Sequence, residues 1–264
     1  MISAWLTYPL IDPVIFRLGP LEFRWYGFMY LVGFVVAFFV IRSELRRKGG
    51  PIAVEEAEDL LFYLIVGLLV GARLGYVLFY NLPVYISVPW EVFAFWHGGM
   101  SFHGGLIGML AAGALYCRRR RVPFLELADI GALAAPIGLM LGRIGNFING
   151  ELYGKVTSLP WGVVFPLGGE LPRHPSQLYE SLLEGAVLFF LLWRLRLRVR
   201  RSGEILAAFI IYYGIFRFAV EFVREPDPQI GYVFHWLTLG QILCLLMIIA
   251  GNGLSIYLRK GEKP

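Results

Sequence analysis

Residues 142–154 read GRIGNFINGELYG and follow the apolar run IGALAAPIGLML. Ending a helix takes one glycine or proline. This stretch instead sets Arg143, Asn146, Asn149 and Glu151 among four glycines. A guanidinium fork grips phosphate or carboxylate through two parallel hydrogen bonds. Asparagine supplies both donors and acceptors, and glycines such as Gly154 let backbone approach a ligand closely. A second set lies at Tyr213, Arg217, Glu221 and Arg224. At about 100° per residue these four fall in one narrow stripe of a helix. The i,i+4 spacing of Arg217 and Glu221 equally suits a plain structural pair. Tyr26, Arg73, His103, His174 and Glu180 complete the candidates. Four arginines (73, 143, 217, 224) then stand against Glu151, Glu180 and Glu221, a cationic site suited to an anion, with the glutamates holding the forks in place. Histidine is the side chain best suited to a general base near neutral pH, which makes His103, in FHGGLIG, a candidate. A lone helical histidine is equally a packing residue. With no HExxH-type spacing and no nucleophile elbow, neither a metal, a cofactor nor a covalent enzyme intermediate is expected.

The elements that hold these residues must be membrane helices. Of 264 residues, 58% are hydrophobic and only 16% charged, with mean hydropathy +0.65. Soluble domains carry about 25% charged residues. A spanning helix needs roughly 20 mainly apolar residues, and seven stretches qualify: about 24–41, 59–80, 99–117, 125–147, 176–193, 204–223 and 236–258. Basic clusters follow the first (RSELRRKGG), third (RRRR), fifth (RLRLRVRR) and seventh (RK) stretches. Their alternation, read by the positive-inside rule, places the N-terminus outside and the C-terminus in the cytoplasm. The expected fold is an all-α polytopic membrane protein of seven transmembrane helices, one domain over 1–264. Residues 81–98 read as an interfacial arm and about 148–175 as a small extracytoplasmic cap. No signal peptide is evident; the N-terminal stretch, broken by Pro9, Pro13 and Pro20, is expected along the membrane surface. GLLVGARLG (Gly67, Gly71, Gly75) reads as a helix-packing row. Cys117 and Cys244 read as small buried hydrophobes.

With that topology, nearly every intramembrane polar residue falls in the outer leaflet. Ionisable residues inside spanning helices are costly and default to functional candidates. A transporter would gather them near the bilayer midplane. Headgroup depth points to a lipid substrate instead.

GRIGNFINGELYG resembles the signature of the bacterial prolipoprotein diacylglyceryl transferases. RWYG (24–27), FHGGLIG (102–108), RHPSQLYE (173–180) and FRFAVEFVREPD (216–227) are similar to the family's other blocks, in the same order. The resemblance covers essentially the whole chain. It implies transfer of the diacylglyceryl group of phosphatidylglycerol to the lipobox cysteine of a preprolipoprotein signal peptide. A thioether forms and glycerol 1-phosphate leaves. The expected setting is the bacterial inner membrane, among membrane lipids, with the site at the outer leaflet and no nucleic-acid partner. Arg143 and Arg217 are then expected on the phosphate, with Glu221 positioning Arg217. Asn146, Glu151 and Gly154 would shape the headgroup pocket, Tyr26 and Tyr213 would orient headgroup or thiol, and His103 is the candidate base. The competing view leaves thiol activation to the arginines. A phospholipid flippase and a phosphoglycerol transferase, which would cleave phosphorus–oxygen, are the alternative functions.

Overall fold

The computed structural model describes residues 5–19, 21–94, 98–225, 232–233 and 236–260. His97, positions 226–227 of the last family block and positions 261–264 of the C-terminal tail lie outside the described residues. In chain order the elements are β1 (Leu6–Thr7), β2 (Val14–Leu18), β3 (Leu21–Arg24), α1 (Trp25–Lys48), α2 (Ala57–Phe79), α3 (Leu82–Ser87), α4 (Phe102–Arg120) and α5 (Phe124–Ile148). There follow β4 (Val163–Val164), α6 (Ser176–Glu180), a π-helical segment Ser181–Val187, α7 (Leu188–Leu195), α8 (Glu204–Glu221), β5 (Tyr232–Val233), β6 (Leu237–Thr238) and α9 (Leu239–Lys260).

Each of the seven apolar stretches is helical over most of its length. Among the described residues, four helical segments are long and apolar enough to cross a membrane: Trp25–Arg47, Val54–Phe79, Phe124–Ile148 and Leu239–Lys260. The other three stretches are more polar or interrupted, for visible reasons. Arginines 118–120 fill the last turn of α4. The π-helical turn, with Glu180 and Glu184, divides α6 from α7. Glu204, Arg217 and Glu221 all lie on α8. The chain is thus a mostly helical membrane protein.

The residues pack as two compact units, Ile41–Ala128 and the remainder. In Ile41–Ala128, α2 lies on α4 at backbone contact. A Cβ on Gly71 would fall 2.7 Å from the Gly108 Cα, and one on Gly75 would fall 2.7 Å from the Gly104 Cα. The small-residue row therefore serves close packing. Ser101 caps α4 by accepting from the Gly104 N–H at 3.2 Å. At the other end Arg120 pairs with Glu56 at 2.7 Å and Asp59 at 2.9 Å. The arm after α2 folds as α3 and a 3₁₀ turn, Pro89–Phe93.

In the larger unit, α8 packs on α9 and the π-helical segment packs on α5. Gly185 has no room for a Cβ, which would lie 2.9 Å from the Met140 Cα. The Ser181 hydroxyl donates to the Met140 carbonyl at 3.2 Å. Asp129 caps the start of α8 by accepting from the N–H groups of Gly203 and Leu206, both at 2.8 Å. The N-terminal stretch is not a featureless surface segment. Its β1 pairs in parallel with β4, and β2–β3 form a hairpin on which Phe16 stacks against Phe23 at 4.3 Å. Tyr8 reaches the end of α5, donating to the carbonyls of Phe147 at 2.8 Å and Ile148 at 2.6 Å. Those carbonyls belong to the last helical turn, where no intrahelical donor remains. Tyr8, Phe147, Tyr153, Val163 and Phe165 form a small, mostly aromatic core that joins the N-terminal stretch, the end of α5 and residues 148–175.

Candidate functional site

Twelve of the fourteen residues singled out from sequence lie in the larger unit. Arg143 sits one turn after Met140 on α5, so the clamp at Gly185 and Ser181 fixes its height against Glu180. Its Nε lies 2.7 Å from Glu180 Oε2, and Glu180 is fully buried. The Nη1 of Arg143 donates to Asn146 Oδ1 at 3.4 Å. Asn146 donates in turn to Glu151 Oε1 at 2.9 Å, and Asn149 donates to the same oxygen at 3.0 Å. The signature loop is thereby tied to itself through one carboxylate.

From the other side, α8 delivers Arg217. Its Nη2 pairs with Glu221 Oε2 at 2.8 Å, while Nη1 lies 3.6 Å from Glu180 Oε2 and 3.9 Å from Glu184 Oε1. Arg224 approaches Glu180 at 4.0 Å and Glu221 at 3.8 Å. The Thr238 hydroxyl donates to Glu221 Oε1 at 2.9 Å. Gln241 and Thr238 cap one another at the start of α9. A continuous polar chain results: Arg224, Glu221, Arg217, Glu180, Arg143, Asn146, Glu151, Asn149. Contacts of 3.6–4.0 Å exceed hydrogen-bond length. Each guanidinium is thus held tightly along at most one edge, and among the described residues Arg217 Nη1 is buried with no hydrogen-bond partner, as are both carboxylate oxygens of Glu180 and Glu184 and Oε2 of Glu221. Buried orphan donors are rare and call for a partner.

Gly154 joins the cap to α8. Its N–H donates to the His174 carbonyl at 2.8 Å, and Lys155 donates likewise to Val223 at 2.9 Å. A Cβ on Gly154 would press on His174 Cβ at 2.8 Å and on the carbonyl oxygens of His174 and Val223. The His174 ring faces the Tyr179 hydroxyl at 3.3 Å. Burial, and secondarily the charge of Lys155, holds its imidazole below the usual range. Tyr26 opens α1 with its ring against Gly145, whose Cβ would meet Tyr26 Cδ2 at 2.8 Å. Its hydroxyl lies 3.3 Å from that of Tyr30. Tyr213, one turn before Arg217 on α8, stacks on Phe209 at 5.8 Å.

Arg73 and His103 belong to the unit Ile41–Ala128. His103 sits in the first turn of α4, edge-on to Phe102. Arg73 is almost wholly buried. It donates to the carbonyls of Glu91 at 2.6 Å, Val92 at 2.9 Å, Ala94 at 3.1 Å, Gly99 at 3.1 Å, and also to that of Gly98. Its donors fasten the arm. The charge tally changes accordingly. Arg143, Arg217 and Arg224 stand among four glutamates, Glu180, Glu184, Glu221 and, through Asn146, Glu151, so the cluster is not net cationic.

Sequence reasoning passed over Glu184, Thr238 and Gln241. Glu184 is fully buried and sits in the apolar run LLEGAVLFF, where an ionisable residue is itself the signal. The other two are ordinary capping residues with no such mark.

The profile of the prolipoprotein diacylglyceryl transferases matches residues 13–257. A phosphatidylglycerol–prolipoprotein diacylglyceryl transferase of Geobacter sulfurreducens is 51% identical over 255 residues, covering 97% of this chain and 98% of its own. Proteins of the same name from Nitratidesulfovibrio vulgaris and Pseudomonas aeruginosa are 53% and 49% identical. They cover 93% and 98% of this chain, and 94% and 98% of their own lengths. With a polar chain of arginines and glutamates built from the matched helices, the chain belongs to the prolipoprotein diacylglyceryl transferase family.

Proposed function

We propose that this chain transfers the diacylglyceryl group of phosphatidylglycerol to the lipobox cysteine thiol of preprolipoproteins. The thiolate sulfur attacks the glyceryl carbon, the carbon–oxygen bond to phosphate breaks, and glycerol 1-phosphate leaves with the bonding pair. The thiol proton passes to a base or to the departing phosphate. Charge grows on that phosphate, so guanidinium donors already in place lower the barrier where the charge develops. The observation that carries this reading is the orphaned, buried Nη1 of Arg217 beside the loosely held edges of Arg143 and Arg224. A phosphate oxygen supplies the missing acceptor.

In this reading Arg143 and Arg217 stabilise the leaving phosphate, and Glu180 and Glu221 position them. Asn146, Asn149, Glu151 and Gly154 shape the headgroup pocket, helped by His174 and Arg224. Tyr26 and Tyr213 orient headgroup or thiol. Arg73 serves by holding the arm. His103 takes the thiol proton, a role assigned from imidazole chemistry. The whole of 1–264 acts as one transferase domain of the bacterial inner membrane. It crosses seven times, with the N-terminus outside, the C-terminus in the cytoplasm and the 148–175 cap above the outer leaflet. The alternating basic flanks support that arrangement.

The test combines purified protein, phosphatidylglycerol and a lipobox peptide, and identifies what is released. Glycerol 1-phosphate together with a thioether-linked peptide is the expected result. Released diacylglycerol would instead mean phosphoglycerol transfer, and lipid movement with no product would mean a flippase.

A further inference from the structure

Beside the signature loop lies a hollow that the phosphate chemistry leaves unused. It has a volume of about 370 Å³ and opens to the surface between the link after β1, the end of α5 and the cap. Its floor is Tyr8, fixed under Gly150 and bonded to the last carbonyls of α5. Its rim is apolar and uncovered: Leu10 is 90% exposed and Leu167 74% exposed. Along one side runs the segment between Pro9 and Pro13. Among the described residues, the N–H groups of Leu10 and Asp12 make no hydrogen bond. The segment turns at Leu10, where the Ile11 N–H donates to the Pro9 carbonyl at 2.7 Å, and free backbone groups beside an apolar hollow are what a peptide main chain can bond. The main chain supplies hydrogen bonds there, and the hollow takes a side chain.

Charge separates the two substrates. Among the described residues no lysine or arginine lines the hollow, and Asp12 does, so an anionic lipid headgroup is disfavoured. The hollow shares one residue with the polar chain of the signature loop. Asn149 lines it and donates to Glu151, which Asn146 joins to Arg143. We infer that the hollow bounded by Leu10, Ile11, Ile148, Asn149 and Leu167 docks the extended peptide segment flanking the acceptor cysteine. This assignment rests on the transferase reading above and adds the seat of its second substrate.

Two exposed-site variants of the full chain, Leu10→Asp and Leu167→Asp, test it in phosphatidylglycerol liposomes with a fluorescent lipobox peptide. Neither side chain is buried, so folding is retained. The expected result is a KM for peptide raised about tenfold, with kcat and the KM for lipid unchanged. A benzophenone side chain at position 167 is expected to capture the labelled peptide, and excess unlabelled peptide to compete. An unchanged peptide KM in both variants, or capture of lipid alone, would overturn the assignment. Peptide capture without any thioether product in the wild type would keep the docking site and remove the transferase reading.

Discussion

Replacing Arg143 with lysine separates a residue that stabilises a leaving phosphate from one that anchors a helix. Arg143 lies 2.7 Å through Nε from a fully buried glutamate, Glu180. A lysine ammonium is a single donor centre, and the uncompensated Glu180 carboxylate would claim it. The pair survives, so the protein folds and inserts, but no second edge remains for phosphate. Arg143 keeps 20% of its side chain exposed, so an incoming anion has access to that edge. Losing one donor aimed at developing charge costs about 10²–10³ in rate, or roughly 3–4 kcal/mol. The assay follows thioether-linked peptide by mass spectrometry in proteoliposomes, at matched protein levels. A fall in kcat at nearly constant KM for lipid marks an interaction made in the transition state. Arg259→Lys, in the last turn of α9, is the control and is expected to be silent. If Arg143 merely anchored α5 at the interface, lysine would snorkel as well as arginine. Near-normal transfer by Arg143→Lys would therefore remove Arg143 from the catalytic group.

Further outcomes follow from the same contacts. Glu180→Gln, which abandons a close arginine, is expected to lower stability by about 3–5 kcal/mol. Glu184→Gln, whose nearest cation is 3.9 Å away, is expected to cost far less; equal losses in thermal melts would refute the distinction. Gly154→Ala forces a Cβ onto two backbone carbonyls and should cost about 1–3 kcal/mol, seen as a lower melting temperature alongside lost activity. The depressed His174 imidazole makes its neutral form the folded one. Its contribution is complete above the unfolded value of about 6.5 and is lost as pH falls from there through the depressed folded value, and His174→Gln should flatten that slope in melts between pH 7 and pH 5. His103→Gln is expected to slow transfer about 10²–10⁴-fold at pH 7 and to recover above about pH 8.5, where the thiol ionises unaided. An unchanged rate at pH 7 would give thiol activation to the arginine field.

Helix positions were legible because seven apolar stretches stand out against short polar joints. Their ends were off by a few residues, as where the helix expected from 236 begins at Leu239. The grouping of Arg143, Arg217, Glu180 and Glu221 was legible because charge inside apolar helices is costly enough to signal itself. The partners of Arg73 were not. Its acceptors are backbone carbonyls from residues 91 to 99, and any sequence offers carbonyls. Glu184 went unnoticed because a single acid in a long apolar run looks like tolerated noise, whereas the π-helical turn brings it beside Glu180 at Arg217. The β2–β3 hairpin was hidden by the flanking prolines and by exposed apolar residues, Phe16 and Leu18 on one strand and Leu21 and Phe23 on the other, which suit a stretch lying along the membrane surface as well.

On the proposed function, the mutual compensation of charges in the cluster bears on how it would favour the transition state over the bound lipid. Three unpaired guanidiniums at this depth would be unstable before substrate arrives, since buried charge persists only when compensated. Glu180 and Glu221 closely compensate two of them, Arg143 at 2.7 Å and Arg217 at 2.8 Å, and leave the other contacts, both of Arg224's included, at 3.6–4.0 Å. A phosphodiester carries a single diffuse negative charge and gains modestly from those loose edges. As the carbon–oxygen bond lengthens, the phosphate gathers a second charge, and the same donors gain more without having to move. Stabilisation that grows along the reaction raises kcat, whereas equal stabilisation throughout would only tighten lipid binding. The carboxylates thus do two things at once. They keep the arginines folded in place, and they hold ground-state attraction low enough that the increment falls on the transition state. Neutralising Glu221 as Glu221→Gln is therefore expected to tighten lipid binding while slowing turnover, a split that a purely structural salt bridge would not produce.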